Sequence, residues 1–259
     1  MILYKYVPYE AGQEILAGNS IGFACASDFN DPFELTGYPR EEAPNPVVQV
    51  FADIRANAKR GIWLRNSAIL SMTRSPLNPL MWAHYAGAHR GFVVGLDVAV
   101  CGFASLDANL VPAQFGSIIY TEEMPKHDLI TSAVMQVGGE FSYRPEILEK
   151  LQRIFLHKPL CWSYEEEVRI VKCIQGIERN RKLPSGTFTI HSLGTRQLYL
   201  LPLPDDAISE VYLGVRTPIR DRGKFQDFAS KVHMHHPRAR LLHCVVGERT
   251  WTLESKEIL

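Results

Sequence analysis

A surplus of charge of either sign is what this 259-residue chain most plainly lacks: Lys and Arg number 28, and so do Asp and Glu. Proteins that grip nucleic acid by its phosphates usually carry a basic excess. The balance therefore argues against a dedicated DNA or RNA binder, while a local basic patch stays open. Cysteine is sparse. Cys25, Cys101, Cys161, Cys173 and Cys244 are odd in number and form no C-x-x-C pair, which speaks against a zinc ribbon and fits reduced thiols. No apolar run approaches the length needed to span a membrane. The opening Met1-Ile2-Leu3-Tyr4-Lys5-Tyr6 lacks the apolar stretch of a signal peptide. The expected setting is the cytoplasm, without a membrane partner. A Walker loop, G-x-G-x-x-G and H-E-x-x-H are also missing, which removes the usual textual grounds for an ATPase, a Rossmann dehydrogenase or a zinc protease.

What is present is a mixture of short strands and interposed helices. Apolar alternation predicts strands over 2–7, 20–25, 68–73, 91–97, 116–120, 165–171, 186–190, 197–201, 208–214 and 240–246. Helical spacing predicts helices over 10–16, 47–60, 80–88, 144–157 and 224–232. Strands and helices do not alternate strictly, so the fold class is α+β in one domain. An irregular and helical insertion is expected at about 37–66, where prolines and mixed charges precede a helix.

Glu165-Glu166-Glu167-Val168-Arg169-Ile170-Val171 is the most informative stretch. In a strand, Glu165, Glu167 and Arg169 share one face, and Val168 and Ile170 share the other. Two carboxylates about 7 Å apart along a strand suit acid/base work or the holding of a developing positive charge. An ordinary half-exposed strand would show the same alternation. Ser71 and Thr73 would share a strand face, where hydroxyls either cap backbone or orient a carboxylate on a neighbouring strand. Met81-Trp82-Ala83-His84-Tyr85, followed by His89-Arg90-Gly91, concentrates rings and titratable groups. It reads either as a core-facing helix or as a pocket wall that stacks on a flat ligand. Asp28-Phe29-Asn30-Asp31-Pro32-Phe33-Glu34 is either a rigid turn or a pocket rim, with Asn30, Asp31 and Phe33 as candidate substrate contacts and Arg169 as another. His233-Met234-His235-His236 reads as the polar end of a helix, and no metal is expected.

The order of these motifs resembles a bacterial family known as a domain of unknown function, marked by F-N-D-P-F and M-W-x-H-Y. More distantly it is similar to the ADP-ribosyltransferases. In those enzymes a first strand ends in Arg or His, a central strand carries Ser-x-Thr/Ser, and a late strand opens with E-x-E. The resemblance implies a split, mostly antiparallel sheet core with peripheral helices. It places Lys5, or Tyr6 beside it, at the first motif, Ser71 and Thr73 at the second, and Glu165 and Glu167 at the third, with Lys5 standing where the family has Arg or His. It implies NAD as a substrate held by these residues together with Trp82, His84 and Tyr85. Glu167 would stabilise the oxocarbenium ion left as nicotinamide departs, and Glu165 would orient or deprotonate the acceptor. A protein or nucleic-acid acceptor, an inhibitor or antitoxin partner, and a toxin or phage-defence role follow as expectations. Two other readings stay open: a nuclease-type effector using His84 and His89, and a non-enzymatic interaction protein.

Overall fold

Pro8 separates the first two elements of the chain, ending strand β1 (Ile2–Val7) and leading into helix α1 (Tyr9–Gly18). Asn19 closes that helix with φ 42°, a left-handed conformation that Asn tolerates better than most residues. The computed structural model describes residues 1–25, 28–29, 33, 44–124, 142–177, 183–219 and 221–258. After β2 (Ser20–Cys25) come α2 (Pro46–Asn66), β3 (Ser67–Thr73), α3 (Pro79–Tyr85), β4 (Phe92–Asp97) and β5 (Ile119–Thr121). Next follow α4 (Leu148–Phe155), β6 (His157–Pro159), β7 (Glu167–Cys173), β8 (Thr189–Leu193) and β9 (Arg196–Pro202). The chain ends with β10 (Ile208–Leu213), α5 (Arg222–His235), β11 (Arg240–Val246) and β12 (Leu253–Glu257).

The protein is α+β, built on a large, mostly antiparallel sheet. Its strand order is β12-β11-β10-β4-β1-β3-β2-β9-β8, and β7 lies along β3 off that path. β10 and β11 run parallel, with α5 as the connection. β5 and β6 form a separate parallel pair. β3 is the junction. β7 pairs with it over its whole length, from Ser67↔Cys173 to Thr73↔Glu167. Its other edge is shared: β2 takes Ala68 and Ile69, and β1 touches only Thr73. Between those contacts, among the described residues, β3 has no strand partner on that edge, so β1 and β2 diverge there.

Three apolar clusters follow from strand parity. On one face Leu3, Val7, Leu70, Met72, Phe92, Val94, Val168 and Ile170 pack beneath α1 and α5, with Phe92 stacked on Phe228. On the other face, Ile69, Val171 and Cys173 meet Leu151, Ile154 and Phe155 of α4. Also there, Tyr6, Val93 and Tyr212 meet Met81 and Trp82 of α3. Among the described residues no helix is long and apolar enough to cross a membrane.

Several elements depart from the sequence reading. The late strand starts at Glu167, because Leu160–Glu165 is a 3₁₀ turn and Glu166 has φ 45°. It is buried along its whole length, so the half-exposed reading fails: β3 covers one edge and apolar clusters cover both faces. The strand expected at 186–190 is β8, displaced to Thr189–Leu193 and fully exposed. The helix expected over 144–157 begins as a 3₁₀ turn at Pro145–Ile147 and stops at Phe155, where β6 takes over. β12 had no counterpart. Of the expected insertion, 37–43 lie outside the described residues. α2 accounts for the remainder, started by Pro46 and by an Asn45 side chain that accepts from the Val48 N–H.

Candidate functional site

The place where β1 and β3 part is lined by charge. A cleft of about 190 Å³ opens there between β1, β3, α3, β6 and β7, with Phe29 at its wall. The local sequence explains each contribution. Alternation puts Ser71 and Thr73 on the β3 face that carries Glu167 and Arg169 of β7. On α3, Met81 and Tyr85 are four residues apart and so share the side that faces the cleft. The Asn78 side chain caps that helix through the N–H groups of Leu80 and Met81, and its amide donates to the Tyr164 carbonyl. This fixes α3 against the turn that carries Glu165.

Two carboxylates and three cations meet in the cleft: Glu165, Glu167, Lys5, Lys158 and Arg169. Lys158 Nζ donates to Glu165 Oε2 at 2.6 Å and to Glu167 Oε2 at 3.1 Å. Arg169 Nε donates to Glu167 Oε1 at 2.8 Å, and its Nη1 to the Phe155 carbonyl at 2.7 Å. The Tyr85 hydroxyl donates to Glu165 Oε1 at 2.6 Å. The Glu167 N–H donates to the Tyr120 hydroxyl at 2.9 Å. Lys5 Nζ donates to the Ser71 carbonyl at 2.9 Å, so its ammonium serves the β3 edge that has no strand partner. Two aromatic faces lie over cations: Trp162 over Lys158 Nζ at 5.1 Å and Phe29 over the Arg169 guanidinium at 5.4 Å.

Both glutamates and Arg169 are almost wholly excluded from solvent. Burial disfavours the Glu167 carboxylate, but the charges of Arg169 and Lys158, with hydrogen bonds from Arg169 and Ser71, outweigh it and hold the group at about 2. Burial likewise opposes the Lys158 ammonium, but Glu167 and Glu165 keep its pKa above the ordinary lysine value. Lys5 is pushed below that value by burial, with Glu167 and Glu165 partly offsetting it. Tyr85 is pushed up by burial and by its bond to Glu165. The cleft lining thus carries one more basic side chain than carboxyl groups.

The structure brings Lys5, Tyr6, Ser71, Thr73, Tyr85, Glu165, Glu167 and Arg169 to this one place. It places the others elsewhere. Trp82 is fully buried in the core, donates to the Pro76 carbonyl and lies edge-on to Tyr6. It is one residue round the helix from Met81 and turns its ring inward. His84 is exposed, lies edge-on to Tyr85 and does not line the cleft. His89 stacks on Trp82 with φ 68° and does not line the cleft. Phe33 is exposed and does not line it either. Asn30 and Asp31 lie outside the described residues. Arg169, expected as a substrate contact, instead directs its guanidinium to Glu167 and the Phe155 carbonyl. His233 and His236 are satisfied by the carbonyls of Ala239 and Leu16. The letters G-x-S-x-G do occur at Gly18-Asn19-Ser20-Ile21-Gly22, but there a helix passes into a strand. A nucleophile elbow needs the reverse order.

Sequence reasoning missed Lys158. It stands alone in His157-Lys158-Pro159, with no carboxylate at helical or strand spacing to mark it. The signal that would have found it is the pair of buried glutamates itself, since buried carboxylates call for a buried cation.

Residues 81–170 match the family model described as "Protein of unknown function (DUF2971)". No curated protein and no solved structure matches the chain. The matched segment contains Tyr85, Tyr120, Lys158, Glu165, Glu167 and Arg169, and leaves out Lys5, Ser71 and Thr73.

Proposed function

We propose that the protein is an ADP-ribosyltransferase-like enzyme that consumes NAD and transfers ADP-ribose to a macromolecular acceptor. One observation carries the reading. Three short motifs, resembling those of that family and arriving in the same order, come from distant parts of the chain and converge on one cleft, where β3 carries Ser71 and Thr73 alongside Arg169 and Glu167 of β7.

The chemistry assigned to the residues follows from their charge and position. In the reaction, the bond between ribose C1′ and the nicotinamide nitrogen breaks, and its electron pair leaves with nicotinamide. C1′ carries the positive charge until a nucleophilic oxygen or nitrogen of the acceptor bonds to it and gives up a proton. Glu167 is a fixed anion near which that charge would develop, and it accepts from a ribose hydroxyl. The Tyr85 ring at the cleft wall suits stacking on nicotinamide. Lys5 offers a cation to the pyrophosphate. A volume of about 190 Å³ is below the roughly 300–1,000 Å³ of pockets that enclose whole small ligands, so the cleft takes one end of the dinucleotide. The acceptor class, protein or nucleic acid, and an inhibitor partner belong to the same proposal, as does a toxin or defence role.

The test is direct. Purified protein incubated with labelled NAD and a cell lysate releases nicotinamide and labels an acceptor, and Glu167→Gln, shown to be folded by its thermal transition, does neither. Absence of both free nicotinamide and labelled product with the wild-type chain overturns the reading.

A further inference from the structure

Lys158 reaches the cleft from the small two-stranded sheet, and that sheet grips Glu167 twice. β5 brings the Tyr120 hydroxyl to the Glu167 N–H, and β6 brings the Lys158 ammonium to its carboxylate. Among the described residues, β5 and β6 pair with each other and with no strand of the large sheet. The described contacts thus give this pair a second job besides packing: it delivers a hydroxyl and a cation to one residue of β7.

We infer that Lys158 is a positioning residue of the cleft, which holds Glu165 and Glu167 together as a single ionised pair. Three observations support this. One ammonium bridges both carboxylates, at 2.6 and 3.1 Å. All three side chains are about nine-tenths buried or more, so bulk water cannot screen the two anions in its place. And the 3₁₀ turn with its left-handed Glu166 brings two carboxylates, which a straight strand would space apart, to the same cation.

The groups facing the pair from every packed element are Lys5 of β1, Tyr85 of α3, Tyr120 of β5, Lys158 of β6, Tyr164 of the 3₁₀ turn and Arg169 of β7. Of the cations among them, Arg169 bonds Glu167 and Lys5 bonds a backbone carbonyl. Lys158 is the cation that bonds Glu165 as well as Glu167. Without its charge, Arg169 is the cation bonded to the pair, at Glu167, while Lys5 acts on both carboxylates only through space. Like charges so placed do not both ionise, and one proton is taken up by the pair.

The experiment follows protons on the full chain carrying ¹³C-carboxyl glutamate. The two signals are assigned with Glu165→Gln and Glu167→Gln, and titrated from pH 8 to below pH 2 in wild type, Lys158→Gln, Lys158→Met and Lys158→Arg. Thermal transitions report folding. Gln keeps hydrogen-bond donors and loses the charge, and so serves if Met does not fold. In Lys158→Gln or Lys158→Met the pair takes up a proton at least about 1 pH unit higher than in wild type, a roughly tenfold change in proton affinity. Lys158→Arg restores the wild-type midpoint. Unchanged midpoints in the folded neutral variants overturn the inference.

The activity arm rests on the proposed NAD reaction and reads separately. In the neutral variants the acid limb of nicotinamide release moves to higher pH with the proton uptake. A shifted titration with no NAD turnover in any variant leaves the pair intact and removes the proposed reaction. Turnover with an unshifted titration does the opposite.

Discussion

The Tyr85 hydroxyl donates a 2.6 Å hydrogen bond to Glu165, joining α3 to the turn just before β7 across a gap of eighty positions in sequence. Glu165 is buried and accepts from Lys158 through its other oxygen. Removing the hydroxyl leaves one carboxylate oxygen short of a donor in a place that water reaches poorly. Tyr85→Phe is expected to cost about 1–3 kcal/mol, the range for leaving a buried hydrogen-bonding group unsatisfied. Urea unfolding would show a lower midpoint at an unchanged slope. An unchanged midpoint would mean that the bond contributes nothing.

Acid should unfold the protein through Glu167. Its ordinary value of 4.5 is depressed to about 2 in the fold, burial opposing the charge and Arg169 and Lys158 overcoming it. A depressed carboxyl contributes stability that is complete above its unfolded value and is lost as pH falls towards the folded one. The window is therefore pH 4.5 down to about 2, with a contribution on the order of 3 kcal/mol. Glu167→Gln lowers stability at neutral pH and flattens this part of the acid limb. Denaturant midpoints measured at intervals between pH 2 and 7 compare the two slopes. Parallel curves would remove Glu167 as the titrating group.

Gly116 is a packing requirement of β7. A Cβ built there would lie 2.0 Å from the Arg169 carbonyl oxygen, while the Arg169 N–H donates to the Gly116 carbonyl at 2.8 Å. Gly116 has φ −87°, which any residue adopts, so the penalty is contact alone. Gly116→Ala must push the backbone of β7 away at the residue that holds Glu167. A loss of about 1–3 kcal/mol is expected, as for overpacking in a core. If the proposed reaction holds, activity falls further than the lost stability accounts for. Thermal unfolding alongside nicotinamide release separates the two.

Much of this architecture is readable from alternation and punctuation. β1 ends and β2 begins at the expected residues because Pro8 and the Gly18-Asn19 break are local signals. β12 was missed because Leu253-Glu-Ser-Lys-Glu has one apolar residue, and only its pairing with β11 makes it a strand. The start of β7 was misjudged because a left-handed Glu166 leaves no mark in a run of three glutamates. In the site, the residues with motif partners were legible: Ser71 with Thr73, and Glu165 with Glu167. On α3 the ring cluster was legible as a cluster, but a helix shows one side at a time. The cleft receives Met81 and Tyr85, while Trp82 turns into the core and His84 out to solvent. Lys158 was invisible because nothing near it in sequence reports on what it bonds.

The divided edge of β3 also bears on the order in which the molecule is made. β1, β2 and β3 leave the ribosome early, yet the strand that covers β3 along its whole length is β7. Until β7 emerges, one side of β3 has no partner, and Ser71 and Thr73 face no carboxylate. Pairing so distant in sequence is slow to form, and an uncovered edge invites pairing with other chains. A nascent chain stalled before Glu167 would therefore hold an incomplete cleft and a sticky strand together.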